Sequence, residues 1–348
     1  MMRTNVIGWI TGFVLIVATT CGAFAAGWGN HGGPVPPQND EYRLEGPFTQ
    51  GNLSVFLVHG KDKIKGQTFI TLQEALVQRK VIVRETREVN ELSIENLSSE
   101  EVYVQSGDIV KGGQQDRMLV VDLILPPHSG KIPIAAFCVE NGRWSRRGSE
   151  EVTTFTSSSN VVASREVKLA AKEKGSQGEV WREVAAAQDK LSANTGGSVR
   201  APASPTSFQL ALENKGVQTS ADSYIKALSR IVEGKNDVIG YVFAINGKIN
   251  SADIYASSTL FKKLWPKLLQ ASAIEAVAEF RRDEKFNAPK PVEVQGFLDD
   301  GSKGPEQEKD VSSRVQMVTR DSKDNVSFDT RDRAKSSVVV HRNIIKKN

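Results

Sequence analysis

In the first half of the chain, apolar positions recur with a period of two or in short unbroken runs. Both patterns predict strands. Leu53-Ser54-Val55-Phe56-Leu57-Val58 is such a run, and Val81-Ile82-Val83 is a second. Glu91-Leu92-Ser93-Ile94-Glu95-Asn96-Leu97 alternates polar and apolar, so one face is wet and the other buried. Further strands are expected at Val102–Gln105, Asp108–Lys111, Met118–Leu125 and Ile132–Val139, with Pro126 to Gly130 as the turn between the last two. Thr71 to Leu76 breaks this rhythm with helical spacing. Thr71 can cap that helix and Glu74, three residues on, completes a capping box.

The pattern changes at Val161. Ala, Lys, Glu and Val recur at helical intervals to Leu191, with Gly175 and Gly178 as breaks. Ser192 to Pro205 is rich in Ser, Gly, Ala and Pro and reads as a mobile loop. Helices follow at Ser207–Asn214 and Ala221–Glu233, the second ended by Gly234. Val238–Ile245 and Lys248–Tyr255 flank Asn246-Gly247, a strong hairpin signal. A helix from Ser258 to about Phe280 has one apolar face, and Pro266 in it requires a kink or a late start. Beyond Arg281 the chain is highly charged, but Val292–Leu298, Val311–Val318, Val326–Phe328 and Ser337–His341 alternate like short strands. The expected class is α+β, with a β-rich N-terminal half, a helical middle, and a C-terminal hairpin, helix and short strands.

The opening residues read as an address. Arg3 precedes an apolar run from Val6 to Ala18, and Ala23-Phe24-Ala25 is a small-x-small cleavage triplet. The run is shorter than the ~20 residues of a membrane span, so no retained span is expected. Residues 1–25 are read as a secretory signal, 26–45 as a flexible leader and 46–345 as one integrated domain. The 192–205 loop is where a two-domain reading would cut. The expected location is periplasmic or extracellular, across the inner membrane. Cys21 leaves with the signal, and Cys138 alone cannot form an internal disulfide.

Composition narrows the function. The 348 residues carry 45 Lys and Arg against 41 Asp and Glu, a net charge of +4. That balance argues against a dedicated nucleic-acid binder. With 39% hydrophobic residues, collagen-like, mostly disordered and polytopic membrane classes are excluded. His31, His59, His128 and His341 form no i, i+3 or i, i+4 pair, so no local metal motif exists. There is no P-loop, no Gly-x-Ser-x-Gly elbow and no dinucleotide fingerprint. The sequence names no metal or other cofactor and no oligomeric state.

Two segments carry candidate chemistry. In Ser106 to Arg117, Gly112-Gly113 permits unusual backbone conformations or close ligand approach, followed by Gln114, Gln115, Asp116 and Arg117. On a strand, Gln114 and Asp116 would face one way and Gln115 and Arg117 the other, so one polar pair turns inward and needs partners. A polar turn with a structural salt bridge is the competing reading. The second segment leaves a strand through Cys138-Val139-Glu140-Asn141-Gly142-Arg143-Trp144. Arg143 could fork onto a phosphate or carboxylate, Trp144 could stack, and Glu140 could act as acid or base. The competing reading is a hairpin turn with Glu140 paired to Arg143 and Trp144 capping the core. Cys138 continues an apolar run, where a free thiol is usually an inert hydrophobe.

These strings together resemble a known family. Gly107-Asp108, Gly113-Gln114-Gln115-Asp116-Arg117 and Cys138-Val139-Glu140 to Trp144 are similar to the ARG and Rhodanese-Phosphatase-superfamily-associated protein domain, where ARG means ADP-ribosylglycohydrolase. Ile239-Gly240-Tyr241, Asn246-Gly247-Lys248, Asp253, Leu260-Phe261 and Trp265-Pro266-Lys267-Leu268-Leu269 extend the resemblance. The family brings no established activity. Its associations imply a polar, nucleotide- or ADP-ribose-related ligand, and they gather Gln114, Gln115, Arg117, Glu140, Arg143 and Trp144 into one candidate site.

The first expected function is a secreted protein that binds a polar or anionic small ligand, sugar-phosphate or nucleotide-like. Arg117 and Arg143 would hold it, Gln114 and Gln115 would hydrogen-bond it, and Trp144 would stack. The second is a hydrolase or lyase with Glu140 as general acid or base, assisted by Asp108 or Asp116. The third is an envelope structural or interaction protein.

Overall fold

The computed structural model describes residues 41–64, 66–86 and 88–347, with the side chains of 156–160 left aside. The segments read as signal and leader, up to residue 40, lie outside the described residues, as does Cys21.

In chain order, β1 (Arg43–Gln50), β2 (Leu53–His59) and β3 (Ile70–Thr71) lead into α1 (Leu72–Val77). Then come β4 (Val81–Glu85), β5 (Glu91–Asn96), β6 (Val102–Val104), β7 (Asp108–Gly112), β8 (Arg117–Leu119), β9 (Leu123–Leu125), β10 (Gly130–Cys138) and β11 (Thr154–Val162). The helical stretch holds α2 (Arg165–Lys172), α3 (Gln177–Thr195), α4 (Phe208–Leu212) and α5 (Lys215–Leu228). The hairpin β12 (Val238–Ile245) and β13 (Lys248–Tyr255) is followed by α6 (Ser258–Ala278) and α7 (Pro291–Asp300). β14 (Glu306–Asp310), β15 (Val315–Asp321), β16 (Asn325–Asp332) and β17 (Val338–Lys346) close the chain. The class is α+β, as the pattern predicts.

Strands β10-β5-β4-β11-β7-β8 close into a barrel. The alternation in β5 turns Leu92 and Ile94 into its core, together with Val81, Val83, Val110, Ile134 and Phe155. An eight-stranded antiparallel sheet runs β1-β2-β12-β13-β17-β16-β15-β14. Its central strands β2 and β12 are buried throughout, because both faces are covered. Leu57, Tyr241 and Phe243 pack with Phe261, Leu264 and Leu268 of α6, whereas Phe56, Val58 and Val242 pack with Val294, Phe297 and Leu298 of α7. Double-sided burial is what an unbroken apolar run signals. A short sheet, β3-β6-β9, completes the set.

Local signals account for most boundaries. Thr71 and Glu74 form the capping box of α1, with Glu74 N donating to Thr71 Oγ1 at 3.2 Å and Thr71 N to Glu74 Oε2 at 2.7 Å. Asn246 and Gly247 adopt φ of 53° and 74°, as a tight hairpin of this kind demands. The carbonyl end of α6 is held by asparagine amides. Asn52 donates to Ala276 O, Asn194 to Val277 O and Ala278 O, and Asn246 to Glu279 O.

The structure corrects several expectations. Met118–Leu125 is not one strand: β8 belongs to the barrel and β9 to the short sheet. The break is held by Asp122, whose Oδ1 accepts from Ser106 N at 2.6 Å, while Ser106 Oγ donates to Val120 O. Val161 and Val162 end β11 rather than begin a helix, and Gly178 sits inside α3. Gly175, with φ of 60°, is the true break. Val292–Leu298 is helical, not extended. Pro291 opens α7, and Lys290 N donates to Glu293 at 2.6 Å. Val294, Phe297 and Leu298 are buried at helical spacing, whereas Val292 is exposed. Pro266 lies within α6, which starts at Ser258 and not late.

Candidate functional site

The structure gathers Asp116, Glu140 and Arg143 and adds Arg147, which the sequence reading did not single out. Glu140 is wholly buried. Its Oε1 accepts from Arg143 Nε at 2.7 Å and Arg147 Nη1 at 3.2 Å, and its Oε2 from Arg143 Nη2 and Asp116 N, both at 2.8 Å. Asp116 receives both Arg147 Nη groups at 2.8 Å, Ser207 Oγ at 2.7 Å and Gly112 N at 3.1 Å. Arg143 also donates to Gly112 O and Gly113 O at 3.1 Å. Gly113 has φ of 56°, and a Cβ there would lie 2.6 Å from Glu85 Oε1 and 2.5 Å from the Phe155 ring. The loop therefore needs glycine for both conformation and space. Burial opposes ionisation of Glu140, but hydrogen bonds from Arg143, Ser204 and the Asp116 amide prevail, and its carboxyl titrates below the ordinary value. Every oxygen of both carboxylates is engaged by a donor. This is a charge-compensated latch tying the loop after β7 to the loop after β10.

The other expected residues go elsewhere. Asp108 opens β7, about 13 Å along the strand from Gly112 at ~3.3 Å per residue. It pairs with Lys267 of α6 at 2.5 Å instead of assisting Glu140. Arg117 is buried and donates to Val89 O at 2.7 Å, to Glu85 Oε2 at 3.4 Å and to the Cys138 sulfur. Burial pushes the Cys138 thiol up to about 11. Gln114 uses its backbone N–H, which donates to Glu85 at 2.9 Å. Gln115 is fully buried, and neither amide atom has a partner among the described residues. Trp144 is 52% exposed.

A second polar constellation lies where the barrel side meets the large sheet. His341 is buried between Asp122 Oδ2, 2.7 Å from Nδ1, and Asp253 Oδ1, 3.0 Å from Nε2. Tyr255 stacks on it with ring centroids 4.5 Å apart. Burial disfavours the imidazolium, but the two carboxylates outweigh it and raise the pKa to about 9. Gly107 makes room nearby: a Cβ there would come within 2.9 Å of Lys168 Cε.

The third constellation is an open cleft of about 250 Å³ lined by α2, the β12–β13 hairpin and the end of α6. Its inner end is Glu275. Asn250 Nδ2 donates to Glu275 Oε1 at 2.5 Å, and Arg165 N donates to Oε2 at 3.3 Å. Asn250 is 5% exposed, and its Oδ1 has no partner among the described residues. Glu275 makes no ion pair among the described residues, although the charges of Arg165 and Lys168 act on it from longer range. Burial and the negative charge of Glu166 raise its pKa to about 7. A narrower apolar pocket of about 30 Å³, walled by Leu191, Phe208, Leu212 and Ile274, shares Glu166, Glu275 and Glu279 with the cleft. Among the described residues no group of three or more His, Cys, Asp and Glu is placed to hold a metal ion, and no helix is long and apolar enough to cross a membrane.

The profile of the ARG and Rhodanese-Phosphatase-superfamily-associated Protein domain, ARPP-1, matches residues 41–347. The chain belongs to the ARPP-1 family. No curated protein and no solved structure matches it. In this ARPP-1 domain the strings that carry the resemblance separate in space. Gly113 to Asp116 and Glu140 to Arg143 build the latch, whereas Asp108, Asp253 and Lys267 enter the buried contacts around α6 and β13. Arg147, His341, Asp122, Asn250 and Glu275 were not legible as site residues. Glu275 is the one acid among the buried positions of α6, and an acid within a largely apolar helix was the one available signal.

Proposed function

We propose that this ARPP-1 domain binds a small polar molecule in the cleft that ends at Glu275. One observation carries the reading: a buried carbonyl oxygen, Asn250 Oδ1, is left without a donor beside a carboxyl raised to about 7, where a polar cleft joins an apolar pocket. Buried polar atoms normally have partners, and a concave site with few convergent polar groups and a perturbed carboxyl is the usual form of a ligand site. The Glu140 segment supports acid–base chemistry less well. A general acid or base needs an oxygen free to meet the substrate, and both Glu140 oxygens serve Arg143, Arg147 and the Asp116 amide. Arg143, expected to hold an anion, is spent on Glu140 and three backbone carbonyls. The opening residues read as an export signal, so binding would take place outside the cytoplasm.

A thermal-shift screen tests this, using polyols, sugars, sugar phosphates, nucleotides, ADP-ribose and amines. A ligand at a hundred times its dissociation constant stabilises the native state by about 2.7 kcal/mol. The expected shift is lost in Glu275→Gln or Asn250→Leu and kept in Trp144→Ala. A shift lost in Trp144→Ala but kept in both cleft variants would move the site to the latch loop.

A further inference from the structure

We propose that the cleft takes a small organic cation, an ammonium or amidinium group on a short apolar arm. This rests on the binding reading above and adds the ligand's chemical class.

Most cations around the cleft have anionic partners: Arg165 pairs with Glu166 at 2.6 Å, Arg281 with Glu284 at 3.2 Å, and Lys190 with Glu279 at 2.5 Å. Lys248, exposed at the rim, is the lining cation outside any ion pair among the described residues. The acceptors are different. Asn250 Oδ1 is buried without a donor, and Glu275 has hydrogen bonds but no ion pair among the described residues, Arg165 and Lys168 acting on it only from longer range. Glu275 also lies in the last turn of α6, where the helix dipole presents negative potential. Such a site holds an acceptor without a donor and a carboxyl without a contact counter-charge, and a compact organic cation supplies a donor and a charge to meet them. The adjoining apolar pocket offers the arm the walls of Leu191, Phe208, Leu212 and Ile274 to pack against.

The pH dependence follows. The groups facing Glu275 are Glu166, Arg165, Lys168 and Asn250, with Glu279, Lys190 and Tyr241 in electrostatic range. Without a ligand, Glu275 is protonated below about 7 and then offers a bound cation no charge. An alkylammonium stays charged throughout that range, so its affinity rises as Glu275 ionises, by about tenfold between about pH 6 and about pH 8.5.

The test is calorimetric titration of the full chain with pentylammonium and benzylammonium, using pentanol and pentanoate as matched controls, at both pH values. The expected result is saturable binding of the amines alone, about tenfold tighter at the higher pH, and lost in Glu275→Gln. Lys248→Glu, an exposed change that spares the core, is expected to tighten amine binding severalfold. Carbon-13 NMR of the Glu275 carboxyl gives a readout on the unmutated chain: saturating amine is expected to lower its pKa. Equal affinity for pentanol and pentylammonium, or no pH dependence, overturns the cation assignment. Glu275-dependent binding of a polyol in place of amines overturns the cation assignment and leaves the binding site standing. A Glu275 titration that no amine, alcohol or carboxylate moves overturns both.

Discussion

Glu140 and Glu275 are both buried glutamates, 0% and 8% exposed, yet they titrate in opposite directions. Glu140 sits between two guanidiniums and a backbone amide, and its carboxyl is pulled below the ordinary value. Glu275 has an amide, a backbone N–H and a neighbouring Glu166, and its carboxyl is pushed up to about 7. Burial acts on both; the difference is contact, since two guanidiniums touch Glu140 whereas Arg165 and Lys168 act on Glu275 only from beyond ion-pair distance. A buried acid with its counter-charge in place holds a fold together, whereas one without it stores a demand that a ligand can meet.

The sharpest way to break that contrast is to unbalance the latch. Arg147→Met leaves Asp116 and Glu140 short of positive charge, and is expected to cost about 3–5 kcal/mol in urea unfolding. Glu140→Gln is expected to destabilise for the same reason, by stranding Arg143. If either variant unfolds like the parent chain, the latch is not a latch.

The pair formed by His341 with Asp122 and Asp253 comes next. Its folded pKa, about 9, lies above its ordinary 6.5, so the folded state holds this proton more tightly. That stability is fully present below about pH 6.5 and is lost as pH rises through about 9. The unopposed window ends near about pH 8, because burial depresses the Lys172 ammonium to about 8 and its titration adds a slope of opposite sign. Unfolding measured across that window is expected to lose up to a few kcal/mol, with most of the slope gone in His341→Gln and the remainder, from Glu275 titrating near about 7, gone in the double variant with Glu275→Gln.

Glu275→Gln sharpens the comparison by reversing a sign. The raised pKa means that stability is present below about pH 4.5 and lost as pH rises through about 7. At about pH 8 the glutamine variant is therefore expected to be more stable than the parent by about 1–3 kcal/mol in urea unfolding, while Glu140→Gln is less stable. The smallest effect belongs to Trp144→Ala. Half of that ring is in solvent, and its loss is expected to change unfolding free energy by no more than about 0.5 kcal/mol.

What the chain disclosed of this arrangement depended on range. Thr71 and Glu74, Asn246 and Gly247, and the alternation of β5 act within a few residues, and each is where the pattern placed it. Val292–Leu298 looked extended because Val294 and Leu298, four residues apart, satisfy period two and period 3.6 alike; the exposure of Val292, the burial of Phe297 and Pro291 at the start belong to a helix. β14, all charged and polar, carries no apolar period, and its strand character comes from pairing with β15. At the site level, the Glu140–Arg143 pairing was one of two readings left open. Arg147 was missed because its role depends on Asp116, 31 residues away in sequence. Asn250 and Glu275 meet only when the hairpin lies along α6, which no local spacing encodes.

The two free borders of the eight-stranded sheet have a consequence for association. On β1, the register shifts between Glu45 and Phe48 around Pro47, which has no N–H to give a neighbour. On β14, Glu306-Gln307-Glu308-Lys309-Asp310 points every side chain into solvent, with charge at four of the five positions. An incoming strand finds a broken ladder at one border and a hedge of hydrated charge at the other. Growth of this sheet by strand addition is disfavoured at both ends, so the sheet gives crowded copies of the chain no ready template for stacking.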